Sequence, residues 1–344
     1  MRTQEEILFY LKTRDATAIR TLIRRADEIR REFVGDEVHL RAIVEISNKC
    51  EQNCLYCGLR RSRRGLFRYQ MDEATILSVA KQVASLGFRT IILQAGEDSS
   101  RKAEEIARII EKLRKHFSLT VTLSLGERSK EDYRMWFAAG AERYLLKQET
   151  SDPELYRHLH PGMSLDNRLR CLEALKEIGY QTGSGIIVGL PGQTAESLAE
   201  DVLLFRKMDM DMMGIGPFVP NPATPAPSLF RKYPFAYDSE ELTYRLIAIT
   251  RLITQDTMIP TTTALSTVNT EIGRMAGLFC GANVIMPNAT PFAFKRWYEI
   301  YPRRSGNVLN LESQLASIKE LVGNLGRRIA EGPGHRIKRS KAVG

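Results

Sequence analysis

The amino-acid sequence predicts an α/β protein built as a complete (βα)8 barrel of the TIM type, preceded by a helical extension. Two observations support this fold class: short apolar runs of strand length alternate with longer amphipathic segments of helical period, and there are eight such units. At 344 residues the chain is long enough for one large barrel or for two ordinary domains. The repeated strand-then-helix order favours the single barrel.

Ahead of the barrel, apolar residues recur at helical spacing from Ala16 to Phe33, with Asp15 placed to cap the helix start and Gly35 to end it. The predicted strands are, in order, Val38–Ser47, Thr90–Gln94, Thr120–Leu125, Arg143–Lys147, Ser184–Val188, Met212–Ile215, Met258–Thr262 and Asn283–Met286. The predicted helices between them are Glu73–Leu86, Lys102–His116, Lys130–Ala139, Leu165–Ile178, Ala195–Lys207, Ser239–Thr254 and Thr270–Phe279. We expect three segments: an N-terminal helical extension (1–36), the barrel (37–325) and a basic C-terminal tail (326–344).

Residues that are unusual for a core gather where the predicted strands end. They occupy the segments Gly96–Asp98, Ser124–Glu127, Gln148–Thr150, Gly189–Gly192, Gly216–Pro217, Thr261–Thr263 and Pro287–Asn288. Active sites of (βα)8 barrels are built from the loops that follow the strands. We therefore expect the functional site at this end of the barrel.

The formal net charge of +9 is concentrated at the two ends of the chain. Residues 1–70 carry 15 basic and 10 acidic side chains and residues 326–344 carry six and one, so the 255 residues between them sum to −1. The basic runs at 60–64 and 336–341 have the charge to contact phosphate, but no aromatic residues are interleaved with them. We expect a solvated loop and a frayed terminus there, and no nucleic-acid partner.

The sequence shows no sign of a membrane segment. No run of about 18 apolar residues is present, and the apolar pentad Ile7–Leu11 is too short for the apolar region of a signal peptide. We expect a cytoplasmic protein without a membrane partner. The five cysteines do not form the disulfide framework of a small secreted domain.

Three of the cysteines, Cys50, Cys54 and Cys57, fall within eight positions on the loop after the first predicted strand. A structural zinc ion would need a fourth ligand, and residues 40–115 contain no histidine to supply one. Three thiolates on a short loop with arginine neighbours suit an iron–sulfur cluster, and three ligands for a four-iron cube leave one iron open. The other two, Cys171 and Cys280, lie among apolar residues and are expected to be buried.

Other residues have an ordinary structural explanation beside a functional one. His158 and His160 have a spacing that suits ligands, but their position beside Pro161 is more typical of surface structure. Arg168 alone fits an ordinary surface arginine. The methionines within Met208–Met213 fit strand and loop packing.

The cysteine triplet C-x3-C-x2-C, with Tyr56 before its last cysteine and a place after the first strand of a barrel, resembles the signature of the radical S-adenosylmethionine (radical SAM) superfamily. The resemblance implies one 4Fe-4S cluster and SAM as cofactors. It also implies that SAM chelates the open iron through its amino and carboxylate groups. An electron from the reduced cluster then cleaves SAM to a 5′-deoxyadenosyl radical, while the barrel excludes water.

Further segments extend the resemblance from the region of Arg30 to about Tyr301, and they are similar to the HydE family of FeFe-hydrogenase maturases. These segments are Val38–Ile43, Cys54–Arg61, Leu93–Asp98, Thr122–Glu127, Val188–Thr194 and Cys280–Asn288. Biotin synthase and methylornithine synthase, which are full-barrel relatives, resemble the chain less. Because no cysteine follows Cys280, we expect a single cluster. Lys147 and Gln148 stand where the family can carry an arginine and a histidine, so contacts there are expected to differ.

The resemblance implies roles for individual residues. Cys50, Cys54 and Cys57 would ligate the cluster, and Tyr56 would lie near the adenine of SAM. The segment Gly96, Glu97 and Asp98 would contact the methionine amino group, Glu149 would face SAM, and Arg168 would clamp the SAM carboxylate. The residues implied to line the substrate cavity are Thr122, Lys147, Thr262, Thr263, Met286, Tyr298 and Tyr301.

The function implied by the resemblance is maturation of the diiron subcluster of FeFe hydrogenase. The implied substrate is small and sulfur-containing, either cysteine-derived or an iron carbonyl cyanide unit supplied by a partner maturase. An electron donor of the ferredoxin or flavodoxin type is implied as well. Two alternatives stay open: another radical SAM reaction, such as sulfur insertion or carbon-skeleton rearrangement, and a non-enzymatic metal carrier or nucleic-acid-binding scaffold.

Overall fold

The structure is a computed structural model that describes residues 3–302 and 309–338. Its elements, in chain order, are α1 (Gln4–Lys12), α2 (Ala16–Val34), β1 (Glu37–Leu40), β2 (Ala42–Ser47), α3 (Glu73–Ser85), β3 (Thr90–Ala95), α4 (Ala103–Phe117), β4 (Thr120–Ser124), α5 (Lys130–Ala138), β5 (Ala141–Leu145), α6 (Pro153–Leu159), α7 (Leu165–Ile178), β6 (Gln181–Val188), α8 (Ala195–Lys207), β7 (Met212–Pro217), α9 (Ala226–Lys232), α10 (Ser239–Thr254), β8 (Pro260–Thr261), α11 (Thr263–Val268), α12 (Gly273–Phe279), β9 (Val284–Ile285), α13 (Phe292–Lys295), α14 (Leu311–Asn324) and β10 (Arg328–Ile329). Among the described residues, no helix is both long and apolar enough to cross a membrane.

The strands form two parallel sheets that join into a barrel. Strands β2 to β7 lie side by side in sequence order, and the second sheet has the order β10-β1-β9-β8. Backbone hydrogen bonds link the two sheets on both sides: the Met213 amide donates to the Met258 carbonyl (3.0 Å), and the Ile43 amide donates to the Pro287 carbonyl (2.9 Å). The predicted (βα)8 fold class is confirmed, with β1 and β2 together occupying the first strand position.

The first strand position differs from the prediction, which placed one strand over Val38–Ser47. The structure divides this strand into β1 and β2 at Arg41, because the strand that pairs with one of its edges changes there. Before Arg41, β1 pairs with β10 on that edge, whereas after Arg41, β2 pairs with β3. The other edge is continuous, since the Arg41 amide donates to the Ile285 carbonyl at 3.0 Å.

The predicted N-terminal helix is present as α2, with the predicted cap: the Asp15 carboxylate accepts from the Thr17 amide, and Gly35 ends the helix at φ 72°. The sequence reading missed α1, which begins with a capping box between Thr3 and Glu6. Helix α2 packs against α10 and α1 against α8, so both helices add to the outer helical layer. Fully buried residues of the helices and of the strands form the core between them, and Leu22 of α2 is one of these residues.

Residues 327–338, here called the C-terminal strap, close the end of the barrel that lies opposite the carboxyl ends of the strands. Its strand β10 pairs with β1, and the Pro333 carbonyl accepts from Thr90 Oγ1 (3.0 Å) and Arg143 Nη2 (2.7 Å). The Arg336 side chain, only 5% exposed, pairs with Asp209, Asp211 and Asp256. The expectation of a frayed, solvated terminus is therefore wrong for residues 327–336, which are bound to the barrel through β10, the Pro333 carbonyl and the Arg336 side chain. The last basic residues of the run, Arg339 and Lys341, lie outside the described residues.

Candidate active site

A cavity of about 330 Å³ opens at the carboxyl ends of the strands and runs into the barrel. It gathers side chains from loops that are far apart in sequence, as the barrel topology requires. The predicted site residues that line it are Cys50, Cys54, Tyr56, Cys57, Gly96, Glu97, Thr122, Lys147, Glu149, Arg168, Thr262, Thr263, Met286, Tyr298 and Tyr301. Of the predicted site residues, Asp98 is the one that does not line the cavity.

Asp98 forms a local turn. One of its carboxylate oxygens accepts from both the backbone amide (3.0 Å) and the hydroxyl (2.6 Å) of Ser100. This arrangement fixes the end of the loop after β3. Its other oxygen, Oδ2, is buried without a hydrogen-bond partner among the described residues, so the contact between Asp98 and SAM stays a prediction.

The loop that carries the three cysteines begins at the end of β2 and is held by backbone bonds to three separate parts of the barrel. Its amides at Glu51, Leu55 and Gly58 donate to carbonyls of the β3 loop, of α6 and of the segment after α13. The acceptors are Glu97 (2.8 Å), Leu159 (2.9 Å) and Ile300 (2.8 Å), respectively. An irregular loop anchored in this way presents its side chains in one orientation.

Gly96 allows this loop to approach β3 closely. A Cβ atom at Gly96 would lie 2.2 Å from the Lys49 carbonyl oxygen and 2.7 Å from Cys50 Cβ. Both contacts are far below van der Waals distance, and the nearer one involves backbone that is fixed by the barrel. Gly96 is therefore required for the packing of the cysteine loop, independently of any contact with a cofactor.

The three cysteines form a set of neighbouring thiols with partial exposure to the cavity. Burial raises the pKa of the Cys50 thiol, and burial together with the neighbouring Cys57 and Cys50 raises the pKa of Cys54 well above its ordinary value. Three free thiolates are therefore unfavourable here unless a cation compensates them. Thiolate-bound iron supplies that positive charge, so the donor set fits an iron–sulfur cluster.

No three His, Cys, Asp or Glu side chains converge on a single-ion site within residues 3–302 and 309–338. A cluster does not require such convergence, because each thiolate of a four-iron cube binds a different iron. The triplet is therefore better described as a cluster site than as the site of one ion.

Arg168 on α7 lies in the wall of the cavity, paired with two carboxylates. Its Nη2 atom is 2.7 Å from Glu97 Oε1, and its Nε atom is 2.8 Å from Glu127 Oε1. Burial alone would lower the pKa of the guanidinium, but Glu97, Tyr156 and Glu127 raise it, so Arg168 stays protonated. The interpretation of Arg168 as an ordinary surface residue is wrong, since the residue is 6% exposed.

A neutral histidine supports the aromatic residue of the cysteine loop. His160 Nδ1 lies 2.9 Å from the Tyr156 carbonyl, to which it donates, and its Nε2 lies 2.7 Å from the Tyr56 hydroxyl. Burial lowers the pKa of His160 to about 4, so Nε2 accepts the hydroxyl proton at neutral pH. The surface interpretation holds for His158, which is exposed, but is wrong for His160, which is 2% exposed.

The segment after β5 places Lys147 and Glu149 side by side in the cavity, with Lys147 Nζ 2.8 Å from Glu149 Oε2. Glu149 has a left-handed backbone (φ 66°), which a non-glycine residue keeps only when its surroundings impose it. Here β6 imposes it, because the Glu149 amide donates to the Gly185 carbonyl and the Glu149 carbonyl accepts from the Ile187 amide. A Cβ at Gly185 would lie 2.2 Å from the Gly214 carbonyl oxygen and 2.7 Å from Lys147 Cε, so this glycine allows close packing on β7 and makes room for the lysine.

The deeper part of the cavity presents polar groups without protein partners. The hydroxyls of Thr122 and Thr262 are buried and have no hydrogen-bond partner within the described ranges. Buried hydroxyls are normally satisfied, so these two are available to a bound molecule. Nearby, the Tyr298 hydroxyl accepts a hydrogen bond from Gln94 Nε2 (3.2 Å).

Sequence reasoning did not assign two residues that support this wall: Glu127, which pairs with Arg168, and His160, which lines the cavity. Glu127 stands at the end of a predicted strand, which was a usable signal. His160 had no such signal, because its burial depends on how α6 folds back onto the cysteine loop. Cys171 and Cys280 are buried outside the site, as predicted.

Comparison with known proteins agrees with this geometry. Residues 44–205, which include the cysteine loop, match the model of the radical SAM superfamily. The [FeFe] hydrogenase maturase subunit HydE of Thermotoga maritima is 45% identical over 329 residues, covering 95% of this chain and 91% of that protein. The chain belongs to the HydE family of radical SAM enzymes. Membership of this family implies a 4Fe-4S cluster and SAM as cofactors.

More distant relatives of this HydE-family chain share its fold. The 3-methylornithine synthase of Methanosarcina acetivorans is 27% identical over 262 residues, covering 76% of this chain and 72% of that protein. The crystal structure of methylornithine synthase (PylB) superposes with a TM-score of 0.80 at 22% identity, covering 95% of this chain and 94% of that one. At this identity the structural likeness supports the fold alone.

Proposed function

We propose that this chain matures FeFe hydrogenase, as its HydE relative does, with a single 4Fe-4S cluster held by Cys50, Cys54 and Cys57. The observation that carries the proposal is the opening of all three thiols into one cavity that also contains the Lys147–Glu149 pair. When bound, the cluster and SAM supply the reductive cleavage that yields a 5′-deoxyadenosyl radical. The chain contributes ligands, orientation and a site protected from water.

The carboxylates around Arg168 suit the methionine end of SAM. Glu97 and Glu127 outnumber the one guanidinium that they contact, which leaves a net negative charge for the ammonium group when both are ionised. Arg168 has five N–H donors, and its ion pairs use Nε and Nη2. In our proposal the Nη1 donors of Arg168 bind the SAM carboxylate, while Nη2 and Nε keep their ion pairs with Glu97 and Glu127.

In our proposal Tyr56 and Glu149 keep the roles that the resemblance implies, whereas Gly96, implied to contact the methionine amino group, acts through packing. Tyr56 lies near the adenine, and its ring is held by the hydrogen bond to His160. Glu149 faces SAM from an imposed backbone conformation. Gly96 admits the cysteine loop.

The substrate in this proposal is a small polar species, cysteine-derived or an iron carbonyl cyanide unit. A cavity of about 330 Å³ that also receives SAM has little room for a larger molecule. The unpaired hydroxyls of Thr122 and Thr262 and the ammonium of Lys147 offer hydrogen bonds to anionic ligands. Thr263, Met286, Tyr298 and Tyr301 complete the lining.

The proposed partners are a low-potential electron donor, of the ferredoxin or flavodoxin type, and other hydrogenase maturases. The proposed location is the cytoplasm.

A maturation assay tests the proposal. Apo FeFe hydrogenase is incubated with the other maturases and with this protein in place of HydE, and hydrogen evolution is measured. We expect activation with the wild-type protein and none with Cys54→Ala. Wild-type protein that cleaves SAM but gives no activation would contradict the maturation role while leaving the radical SAM assignment intact.

The similarity to 3-methylornithine synthase favours one second candidate, a carbon-skeleton rearrangement at the same site. Sulfur insertion of the biotin synthase type has less support, because only two cysteines remain outside the triplet to bind an auxiliary cluster. An iron content well above one 4Fe-4S cluster per chain would favour sulfur insertion. Mass spectrometry of SAM reactions with candidate amino acids would detect a rearranged product.

A further inference from the structure

The outer side of the cysteine loop is strongly basic. Residues 58–68 contain five arginines and no acidic residue. Two of these arginines are already engaged: Arg63 pairs with Glu299 at 2.6 Å, and Arg68 donates to the carbonyls of Asn48, Leu59 and Arg60.

Arg61 and Arg64 are exposed and form no ion pair with any residue of 3–302 or 309–338. Among the exposed arginines of α2, Arg24 and Arg31 pair with Glu28 and Asp27 of the same helix. Unpaired charges of one sign on a rigid loop create a field that extends into solvent.

An exposed aromatic group adjoins these arginines. Phe67 is 59% exposed, and its ring packs against Trp297 with centroids 5.3 Å apart. Arg296 lies over the Trp297 ring at 5.1 Å. The Asn48 amide group donates to both the Phe67 and Trp297 carbonyls at 2.8 Å, so the two segments form one surface. We call Arg61, Arg64, Phe67, Arg296 and Trp297 the loop face.

The loop face lies close to the thiols along the chain. The Arg60 amide donates to the Cys57 carbonyl at 3.1 Å, which makes a turn whose ends are less than about 7 Å apart. Arg61 is the next residue. The thiols themselves face the cavity, which SAM and substrate occupy in the proposed function. An electron that enters from the outer side of the loop therefore has a short path to the cluster and does not cross the cavity.

We propose that the loop face is the docking surface for an acidic protein that carries one electron at low potential. The proposal rests on the proposed function, since it assigns a place to the electron donor. On docking, the carrier loses one electron and the 4Fe-4S cluster gains it, so no other reactant is needed. Charge complementarity identifies the partner class: Arg61, Arg64 and Arg296 attract carboxylates, and Phe67 with Trp297 supplies an apolar centre.

The test compares a protein reductant with a small one. The variant Arg61→Glu/Arg64→Glu is reconstituted with iron and sulfide and compared with wild type. Binding of oxidised flavodoxin is measured by isothermal titration calorimetry at low and high salt, and SAM cleavage is measured with photoreduced flavodoxin and with dithionite. Arg20→Glu/Arg25→Glu on α2 is the matched control, with the same charge change on an exposed helix.

We expect the loop variant to bind flavodoxin about tenfold more weakly at low salt and to lose most of the salt dependence of binding. Flavodoxin-driven cleavage should fall in parallel, while dithionite-driven cleavage and iron content stay at wild-type levels. The α2 control should behave as wild type. Arg61→Gln/Arg64→Gln, which removes charge without reversing it, should give an intermediate loss.

Unchanged flavodoxin binding in the loop variant would overturn the docking role. Loss of iron or of dithionite-driven cleavage would also overturn it, because the arginines would then serve the cluster loop itself. If wild-type protein binds flavodoxin through these arginines but never cleaves SAM, the proposed function fails while the docking surface stands.

Discussion

At the residue scale, the Tyr56 hydroxyl depends on one neutral acceptor, the Nε2 atom of His160, at 2.7 Å. Both residues are buried, so water does not replace a lost partner. A buried hydroxyl left without its acceptor costs more than the hydrogen bond contributes, whereas removing both partners together can be nearly neutral.

This asymmetry gives a testable double-mutant cycle. His160→Leu should destabilise the protein by about 1–3 kcal/mol because the Tyr56 hydroxyl loses its acceptor. Adding Tyr56→Phe should recover part of that loss. Thermal unfolding of the four proteins measures the coupling, and strictly additive effects would show that the hydrogen bond does not form.

A second residue-scale feature is the buried carboxyl of Asp201 on α8. It accepts a hydrogen bond from the Ser151 amide, two residues after Glu149, and so holds the end of the segment that carries Lys147 and Glu149. Burial raises the pKa of Asp201 to about 7. A folded pKa above the ordinary value means that the contribution of Asp201 to stability is present at low pH and is lost as pH rises through 7.

We therefore predict a pH effect that Asp201→Asn removes. Between pH 6 and 8.5 the wild-type protein should lose about 1 kcal/mol of stability from this group. The asparagine variant retains an oxygen for the Ser151 amide and should show a smaller loss. The measurement is the unfolding temperature of both proteins at the two pH values, and identical pH profiles would contradict the assignment.

At the element scale, the position of the cysteine loop depends on the elements that it packs against. Gly96 makes this dependence testable, because a methyl group there would meet the Lys49 carbonyl and Cys50 Cβ. Gly96→Ala should displace the loop, cost about 1–3 kcal/mol of stability, and reduce the iron bound after reconstitution. Iron and sulfide assays with thermal unfolding measure both effects.

Gly323 provides the matched control for this substitution. It lies in α14, and a Cβ there meets nothing within 4 Å. Gly323→Ala should leave iron binding unchanged and stabilise the helix by about 0.5–1 kcal/mol. Equal iron content in the two variants would show that Gly96 has no special role.

The secondary-structure elements also show which features could be predicted from the sequence and which could not. The strand and helix pattern predicted the barrel because periodicity and caps are local, as Asp15 and Gly35 illustrate. The same reasoning could not find the division of the first strand at Arg41, which depends on a neighbour from the C-terminal strap almost 290 positions away. The cysteines were predictable from spacing, while the burial of His160 required the tertiary path of α6.

At the scale of the whole molecule, the C-terminal strap ties the last part of the chain to the end of the barrel away from the site. Arg336 pairs with Asp211 and Asp256, which are 8% and 10% exposed. Removing one partner of a buried ion pair leaves the other charge uncompensated. The basic end of the chain, which we expected to be solvated, is thus bound to the barrel through Arg336.

Arg336→Met should therefore lower the unfolding free energy by about 3–5 kcal/mol. Lys338→Met is the matched control, because the Lys338 side chain is 55% exposed and its nearest partner, Asp209, is 42% exposed. That control should cost about 1 kcal/mol or less. Equal effects of the two substitutions, measured by urea unfolding, would show that the strap does not bury its charge.

The central claim is that Cys50, Cys54 and Cys57 hold a cluster that cleaves SAM in the barrel cavity. The most direct measurement is the formation of 5′-deoxyadenosine by anaerobically reconstituted protein with SAM and dithionite. The wild-type protein should form 5′-deoxyadenosine, Cys280→Ser should form it at a similar rate, and Cys54→Ala should form none. Wild-type protein that carries a full complement of iron and yet forms no 5′-deoxyadenosine would contradict the claim.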